Sequence, residues 1–421
     1  IWFNLNRTIR SNVCNRMSTI EVNKITPVSG GTTVQVGESG DTINIPAGAT
    51  IANAGTSTGF GDSLRPNVNP LIINGDMAVA QRSTSETGVT TEGYKTCDRF
   101  KLNGTVSGAQ LTIIQEALTS GEAFNNGFKT AWRADCTTAT APASGERLEL
   151  QYRMEAQDCS LFKSGTSNAQ KFTLAFWVKS SYTGAAQANL YNADSSPNRV
   201  CGATYTISSA NTWEHKVLNF AADTSNGFNN DNGWGLGIYF MLAAGSDYTS
   251  GSVPTAWESY SNADFAAGGT PALSSNTAND WAITGIQLEV GEYTSSTLPP
   301  FQHESFGDNL LRCQRYYTKV TRGATDVSLC VGRWYNSNNT GGMFHLPTSM
   351  RSNPTLDIAT GTNYYNASGS AANNYFDDFT FNDAAPLELG WYKSGLSGTQ
   401  GDGMVFMTGN ANASVAFSSE L

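Results

Sequence analysis

From Arg147 to Met154 the chain reads RLELQYRM, an alternation that no helix can use. Leu148, Leu150, Tyr152 and Met154 share one face, while Arg147, Glu149, Gln151 and Arg153 take the other. Side chains alternate across a strand but recur every 3.6 residues around a helix, so this run is a half-buried antiparallel strand. Phe172, Leu174, Phe176 and Val178 repeat the pattern, with Thr173, Ala175 and Trp177 opposite. Trp234, Leu236, Ile238, Phe240 and Leu242 form a third apolar face, and Gly235 and Gly237 begin its other side. Glycines inside a strand mark a bulge or the close approach of a ligand or another backbone. Many such strands, parted by polar Gly-rich turns and with no recurrent helical period, predict an all-β sandwich over residues 67–306.

The flanks read differently. In residues 17–66 the alternating fragments are short: Val34 and Val36, Ile43 and Ile45, Ala49 and Ile51, punctuated by glycines. None can bury itself, and open strand edges invite another chain. Three copies wrapped into an N-terminal trimeric β-shaft segment satisfy that demand; the other reading is a disordered Gly/Thr linker. Residues 1–16 lack the apolar core of a signal peptide. Met17-Ser18-Thr19 reads as a natural start, with 1–16 an upstream or docking extension. The stretch Glu304–Val320 has helical spacing at Leu310, Leu311, Gln314 and Tyr317, and Ser305 or Asp308 can cap it. Residues 307–320 are thus a connector. Strand patterns resume at Leu329–Tyr335, Met343–Leu346, Val405–Met407 and Ala411–Phe417, predicting a smaller C-terminal β-sandwich over 321–421.

Charged residues are 14% of the chain, well below the roughly 25% usual for globular domains. The net charge of −10 argues against nucleic acid as a partner, since phosphates need Lys and Arg. It also argues against an anionic membrane surface, and no apolar run is long enough to span a bilayer. The seven cysteines are scattered, odd in number and free of CxxC pairs. That pattern suits buried reduced thiols in a protein folded in a cytoplasm.

Two phrases bracket the central sandwich. One is Asn69–Arg82, NPLIINGDMAVAQR; the other is Trp281–Tyr317, WAITGIQLEVGEYTSSTLPPFQHESFGDNLLRCQRYY. The pair resembles the opening and closing strands of a jelly-roll domain in tail-fibre proteins of tailed, especially marine, bacteriophages. That domain is itself similar to the jelly rolls of carbohydrate-binding modules, and the resemblance covers roughly residues 69–317. MSTIEVNKITP and GDTINIPAGATI resemble the virion-attachment and shaft segment of the same fibres, and FHLPTSMRSNPTLDI a motif of their C-terminal domains. The resemblance implies a virion protein assembled in the host cytoplasm. Its partners would be phage tail or other virion proteins through the N-terminal segment, two further copies of itself, and host-surface glycan. Related jelly rolls carry a structural calcium near the junction of first and last strands, where Asn74, Asp76 and Glu289 would supply hard oxygens. The plain reading of these three is a turn plus a surface Glu, with no cofactor.

No nucleophile motif, metal motif or phosphate-cradling loop is present, and His215, His303 and His345 stand apart from any such motif. Asn229–Gly233 (NNDNG) has its glycine in the wrong place for a calcium loop and reads as a turn. Asp377 with Asp378, or Glu289 with Glu292, are carboxylate pairs of the kind glycosidases need, but chance pairs abound among 35 acidic residues. Glycan recognition is the stronger expectation, because sugars stack on aromatic rings flanked by amides. In the last domain, Trp334, Tyr335 and Asn338 share one polar loop, and Tyr364, Tyr365 and Tyr375 lie in or beside another. That Tyr/Asn/Ser/Gly mixture is the composition of antibody binding loops. These six residues are the predicted receptor tip, working by multivalent binding without catalysis. A purely structural decoration protein of head or tail, and a short polysaccharide depolymerase, are the rival readings.

Overall fold

The structure is a computed structural model, and it describes residues 69–320, 324–369 and 373–421. The expected docking extension and shaft, 1–16 and 17–66, lie outside the described residues. The rest is all-β, built from two antiparallel sandwiches. In the first, a six-stranded sheet runs in the order Ser85–Val89, Gln110–Ala117, Thr130–Thr138, Asp280–Val290, Phe172–Ser180, Glu214–Phe220. Its partner sheet runs Glu258–Ser259, Arg199–Ile207, Gly184–Asn192, Trp234–Ala244, Arg147–Glu155, Phe100–Thr105, Gly93–Tyr94. The last long strand of this sandwich, Asp280–Val290, is therefore inserted at the centre of a sheet. The alternating apolar faces meet between the sheets, where Phe176 packs edge-on to Phe240 at 4.9 Å and Trp132 to Trp281 at 6.0 Å.

Two strand readings need correction. The polar face of Arg147–Glu155 is not solvated: Glu149 and Gln151 are as buried as Leu150. Part of that sheet face is roofed by the chain around Phe265, whose carbonyl accepts from Asn189 Nδ2 at 2.8 Å. Glu149 survives there because Asn103 Nδ2 donates to it at 2.6 Å and Arg147 Nε at 3.0 Å. Trp234, expected in the core, lies instead on the outer face, stacked on Tyr191 at 5.5 Å and beneath the Arg153 guanidinium. A bulge between Trp234 and Gly237 shifts the register and turns the ring outward. The adjoining glycines are close-approach sites, not an open surface. A Cβ on Gly235 would sit 2.6 Å from Ala156 Cα, and one on Gly237 would meet the Tyr239 ring.

The connector is a helix, Phe306–Gln314, whose Ser305 N-cap accepts from Asp308 N at 3.2 Å. It buries Asn309 and Cys313, while Leu311 faces solvent. It stops before the end of the expected stretch. Tyr317–Lys319 is already a strand of the second sandwich, pairing with Val415–Ser418, which pairs in turn with Thr355–Ile358. The opposing sheet runs Asn373–Phe376, Tyr365–Gly369, Gly403–Thr408, Ser328–Trp334, Asn339–His345, Glu388–Ser394, Thr380–Ala384. Its core centres on Trp391 stacked against Phe406 at 4.1 Å. Among the described residues six cysteines are unbridged: five are buried, and Cys330 is half-buried beneath Trp391.

The two sandwiches are joined by buried charge. Arg99, fully buried, pairs with Glu420 at 2.5 Å, donates to Arg153 O and lies 3.4 Å over the Tyr316 ring. Arg315 grips Glu155 with two bonds of 2.7 Å, and Tyr316 Oη donates to the same carboxylate. Burial would raise Glu155, but the bonds from Arg315 and Tyr316 outweigh it and hold the carboxyl below its ordinary value. Asp98 goes the other way: burial lifts it to about 6, against the pull of Arg82 and Gln81. The unfolded carboxyl titrates near ~4, so the folded state holds the extra proton between those values. This contribution to stability is full below about pH 4 and is lost as pH rises through about 6. Asp98→Asn should therefore flatten the dependence of Tm on pH across that window. An unchanged slope in thermal melts from acid to neutral pH would show that Asp98 does not titrate there.

Candidate functional site

The six predicted tip residues do not form one face. Trp334 is 3% exposed, its ring packed over Gly398, and Tyr365 is fully buried. Tyr365 Oη lies 2.7 Å from Ala359 O and 2.9 Å from Ser414 O, and its ring meets Phe376, Phe379 and Phe406. Both are core residues, unavailable to a sugar. Tyr335, Asn338 and Tyr375 are exposed, and Tyr364 is half-buried. Strand register separates them. Arg333 pairs with Gly403, whereas Tyr365 pairs with Thr408 at the other end of that strand. Tyr335 and Asn338 thus sit at one end of the sheet, while Tyr364 sits at the opposite end with Tyr375 near it.

The calcium trio is likewise not assembled as expected. Asn74 is buried, and its amide is fully committed: Nδ2 donates to Val79 O and Asp98 O at 2.9 Å, and Oδ1 accepts from Val79 N at 2.9 Å. Asp76 accepts from Asn309 Nδ2 at 3.2 Å. Glu289 lies farther along its strand, 3.5 Å from Gln287 Nε2. Among the described residues no three His, Cys, Asp or Glu side chains are grouped to hold a metal. Of the carboxylate pairs, Glu292 is bound to Lys171 and Asp378 to Lys393. The NNDNG stretch is a turn, with Asp231 Oδ1 accepting from Gly233 N.

A different site emerges on the outer face of the six-stranded sheet. Trp177 projects from Phe172–Ser180 on the side away from the core, and antiparallel pairing sets His215 directly beside it. Their rings lie 4.9 Å apart at a 31° tilt, a continuous aromatic platform. On the other side Asp280–Val290 breaks register between Thr284 and Gln287. Gly285 makes that bulge with φ +62°, and Phe128 presses so closely that a Cβ there would lie 2.6 Å from its ring. The 295–303 segment and Asn126–Phe128 raise walls around this floor. Phe301 packs edge-on to Phe128 at 4.9 Å and against His303 at 4.8 Å, while Gln287 Nε2 ties the wall down through Pro299 O at 3.0 Å. The result is a cleft of about 400 Å³, within the range of small-ligand sites. Partial burial of the His215 ring, and then the nearby Lys216 charge, hold its pKa below the ordinary value. It thus offers a neutral imidazole near neutral pH, able both to donate and to accept. An aromatic platform ringed by amide, hydroxyl and imidazole groups can stack a sugar ring and bond its hydroxyls.

Sequence reasoning placed Trp177 on the outward face but gave it no role. The signal was there: one large aromatic among Thr173 and Ala175 on a face with no other apolar bulk. Its partner His215 becomes visible only through the pairing register.

No protein family matches the sequence, and no curated protein does. Among solved structures, the chain is similar to the enzymatically active domain of tailspike protein 4 of bacteriophage CBA120, at 12% identity and TM-score 0.27, over 52% of this chain and 21% of that one. It is also similar to TmCBM61 in complex with beta-1,4-galactotriose, at 8% identity and TM-score 0.24, over 53% of this chain and 99% of that one. A family 11 carbohydrate-binding module from a cellulosomal cellulase of Clostridium thermocellum gives 8% identity and TM-score 0.25, over 49% and 99%. At such identities and scores, the reading of function rests on the residues of the cleft.

Gly285 should tolerate no side chain. Gly285→Ala meets both the left-handed backbone and the Phe128 ring, and is expected to cost roughly 1–3 kcal/mol. A denaturant midpoint equal to that of the unmodified chain would show that the bulge relaxes freely.

Proposed function

We propose that this chain is an adhesion protein of a phage virion, a tail fibre, that binds host-surface glycan without cleaving it. The observation that carries the reading is the Trp177–His215 platform at the floor of a walled cleft. The resemblance of the two bracketing phrases to tail-fibre jelly rolls supports the phage setting. No carboxylate lines the cleft, which favours binding over hydrolysis, since glycoside cleavage uses paired carboxyl groups. Adhesion then comes from several weak sites presented together.

Trp177→Ala should weaken binding to host cells or extracted host glycan roughly tenfold, the scale of one lost stacking contact. The Tm should fall, because the partly buried ring also packs against the small cluster around Phe128 and Trp213, so binding is compared well below both melting transitions. No reducing ends should be released from the same glycan on long incubation. If the unmodified chain fails to bind host cells or glycan at all, it is a structural virion component. Release of reducing ends would make it a depolymerase.

The 17–66 segment is proposed to hold three copies together. Light scattering of the full chain should give a trimer, and removal of residues 1–66 should weaken association while the sandwiches stay folded. A full-length monomer would end that part of the proposal.

A further inference from the structure

We infer that the Trp177–His215 cleft selects a short, uncharged saccharide segment and rejects glycans carrying carboxylate or sulfate. The inference rests on the proposed glycan binding and names the class of sugar. The polar groups that line the cleft are Asn126, His215, Gln287, Ser295 and His303, and its remaining lining is aromatic, aliphatic or glycine. None is a lysine, arginine or carboxylate, so hydroxyl and acetamido groups find partners while an anion finds no fixed cation.

The surroundings agree. The cations near this sheet face are already engaged. Lys179 and Arg133 are bound to Glu116, and Arg133 is shared with Asp135 and Asp280. Lys216 is bound to Glu214 at 2.5 Å, and Lys171 to Glu292 at 2.6 Å. Lys129 is drawn over the Phe124 ring at 3.6 Å. Beyond His303, a second cleft has an arginine on its wall, Arg312, held by Glu304 at 2.7 Å. Behind the floor, Glu289 is buried next to Gln287, and the whole chain carries a net charge of −10. A negative sugar therefore meets cations already paired with carboxylates and a like-charged chain, whereas a neutral ring can exchange its water for the platform and for the amide, hydroxyl and imidazole groups around it. Burial of the His215 ring keeps the platform uncharged near neutral pH. The volume of about 400 Å³ suits a short segment, not a long stretch of polymer.

The test is calorimetric titration or an immobilised-glycan panel with the full chain at neutral pH. The probes are neutral hexose and N-acetylhexosamine oligosaccharides beside uronate-containing, sialylated and sulfated ones. Three proteins are compared: the unmodified chain, Trp177→Ala, and Ser295→Lys, which adds a cation on the exposed wall. Neutral oligosaccharides should bind at least tenfold tighter than charged ones, with an affinity that moves less than twofold between low and high salt. Trp177→Ala should abolish that preference, and Ser295→Lys should narrow it by improving the charged ligands. Tighter, Trp177-dependent binding of anionic glycans would overturn this inference yet leave glycan binding intact. Binding indifferent to Trp177→Ala would overturn the assignment to this cleft. No binding of any glycan would overturn both this inference and the function on which it rests.

Discussion

The side chain of Asn74 is the knot on which the central sandwich closes. It stands in a left-handed conformation, φ 62°, that asparagine tolerates better than most residues. Its amide satisfies three backbone groups of the turn around it, those of Val79 and Asp98. The turn so fixed presents Gly75 O to Ile286 N at 2.9 Å, and Gly75 passes so close to the Ile286 carbonyl that no Cβ fits between them. The central strand is thereby bent at the bulge that forms the cleft floor. Asn309 of the connecting helix reaches back to Asp76 and Asn74, and Arg312 to Pro70 O at 2.8 Å. Opening phrase, closing strand and helix are one contact. An unpaired buried amide costs about 1–3 kcal/mol, which is why so polar a cluster persists in the interior: none of its partners can be removed alone.

That contact explains why the two bracketing phrases were the most informative in the sequence. Period-two alternation made the strands legible, since Leu148, Phe176 and Phe240 could face only a core. Parity fails where a bulge adds a residue, and so Trp234 left the face its spacing assigned. Neighbours in sequence also say little about which way a ring turns at a strand end. Trp334 and Tyr365 stand among asparagines and serines, yet both rings rotate inward because the small second sandwich needs aromatic volume. Val331, in the same strand as Trp334, is 74% exposed instead. The cleft was hidden for another reason. Trp177 and His215 are neighbours only through register, and its walls come from segments about 170 residues apart.

Between the sandwiches, ion pairs stand beside an apolar cluster of Ile73, Val79, Cys313 and Tyr316. Arg99 of the first sandwich is bound to Glu420 and lies over the Tyr316 ring, while Arg315, next to Tyr316, is bound to Glu155 of the first sandwich. Breaking such a buried pair from one side strands a charge, at roughly 3–5 kcal/mol. The two described sandwiches therefore belong to one compact unit.

The Asn74 contact also sets an order on the ribosome. Its turn is synthesised early, but Ile286 and Asn309 emerge more than two hundred residues later. At typical elongation rates of about 5–20 residues per second, the first strands must wait on the order of ten seconds or more for the strand that belongs between them. Until then Thr130–Thr138 and Phe172–Ser180 have a vacant place between them, with exposed edges that any neighbouring nascent chain could fill. A protein built this way gains a sandwich locked from both ends, but is vulnerable to exchanging its closing strand while it is being made.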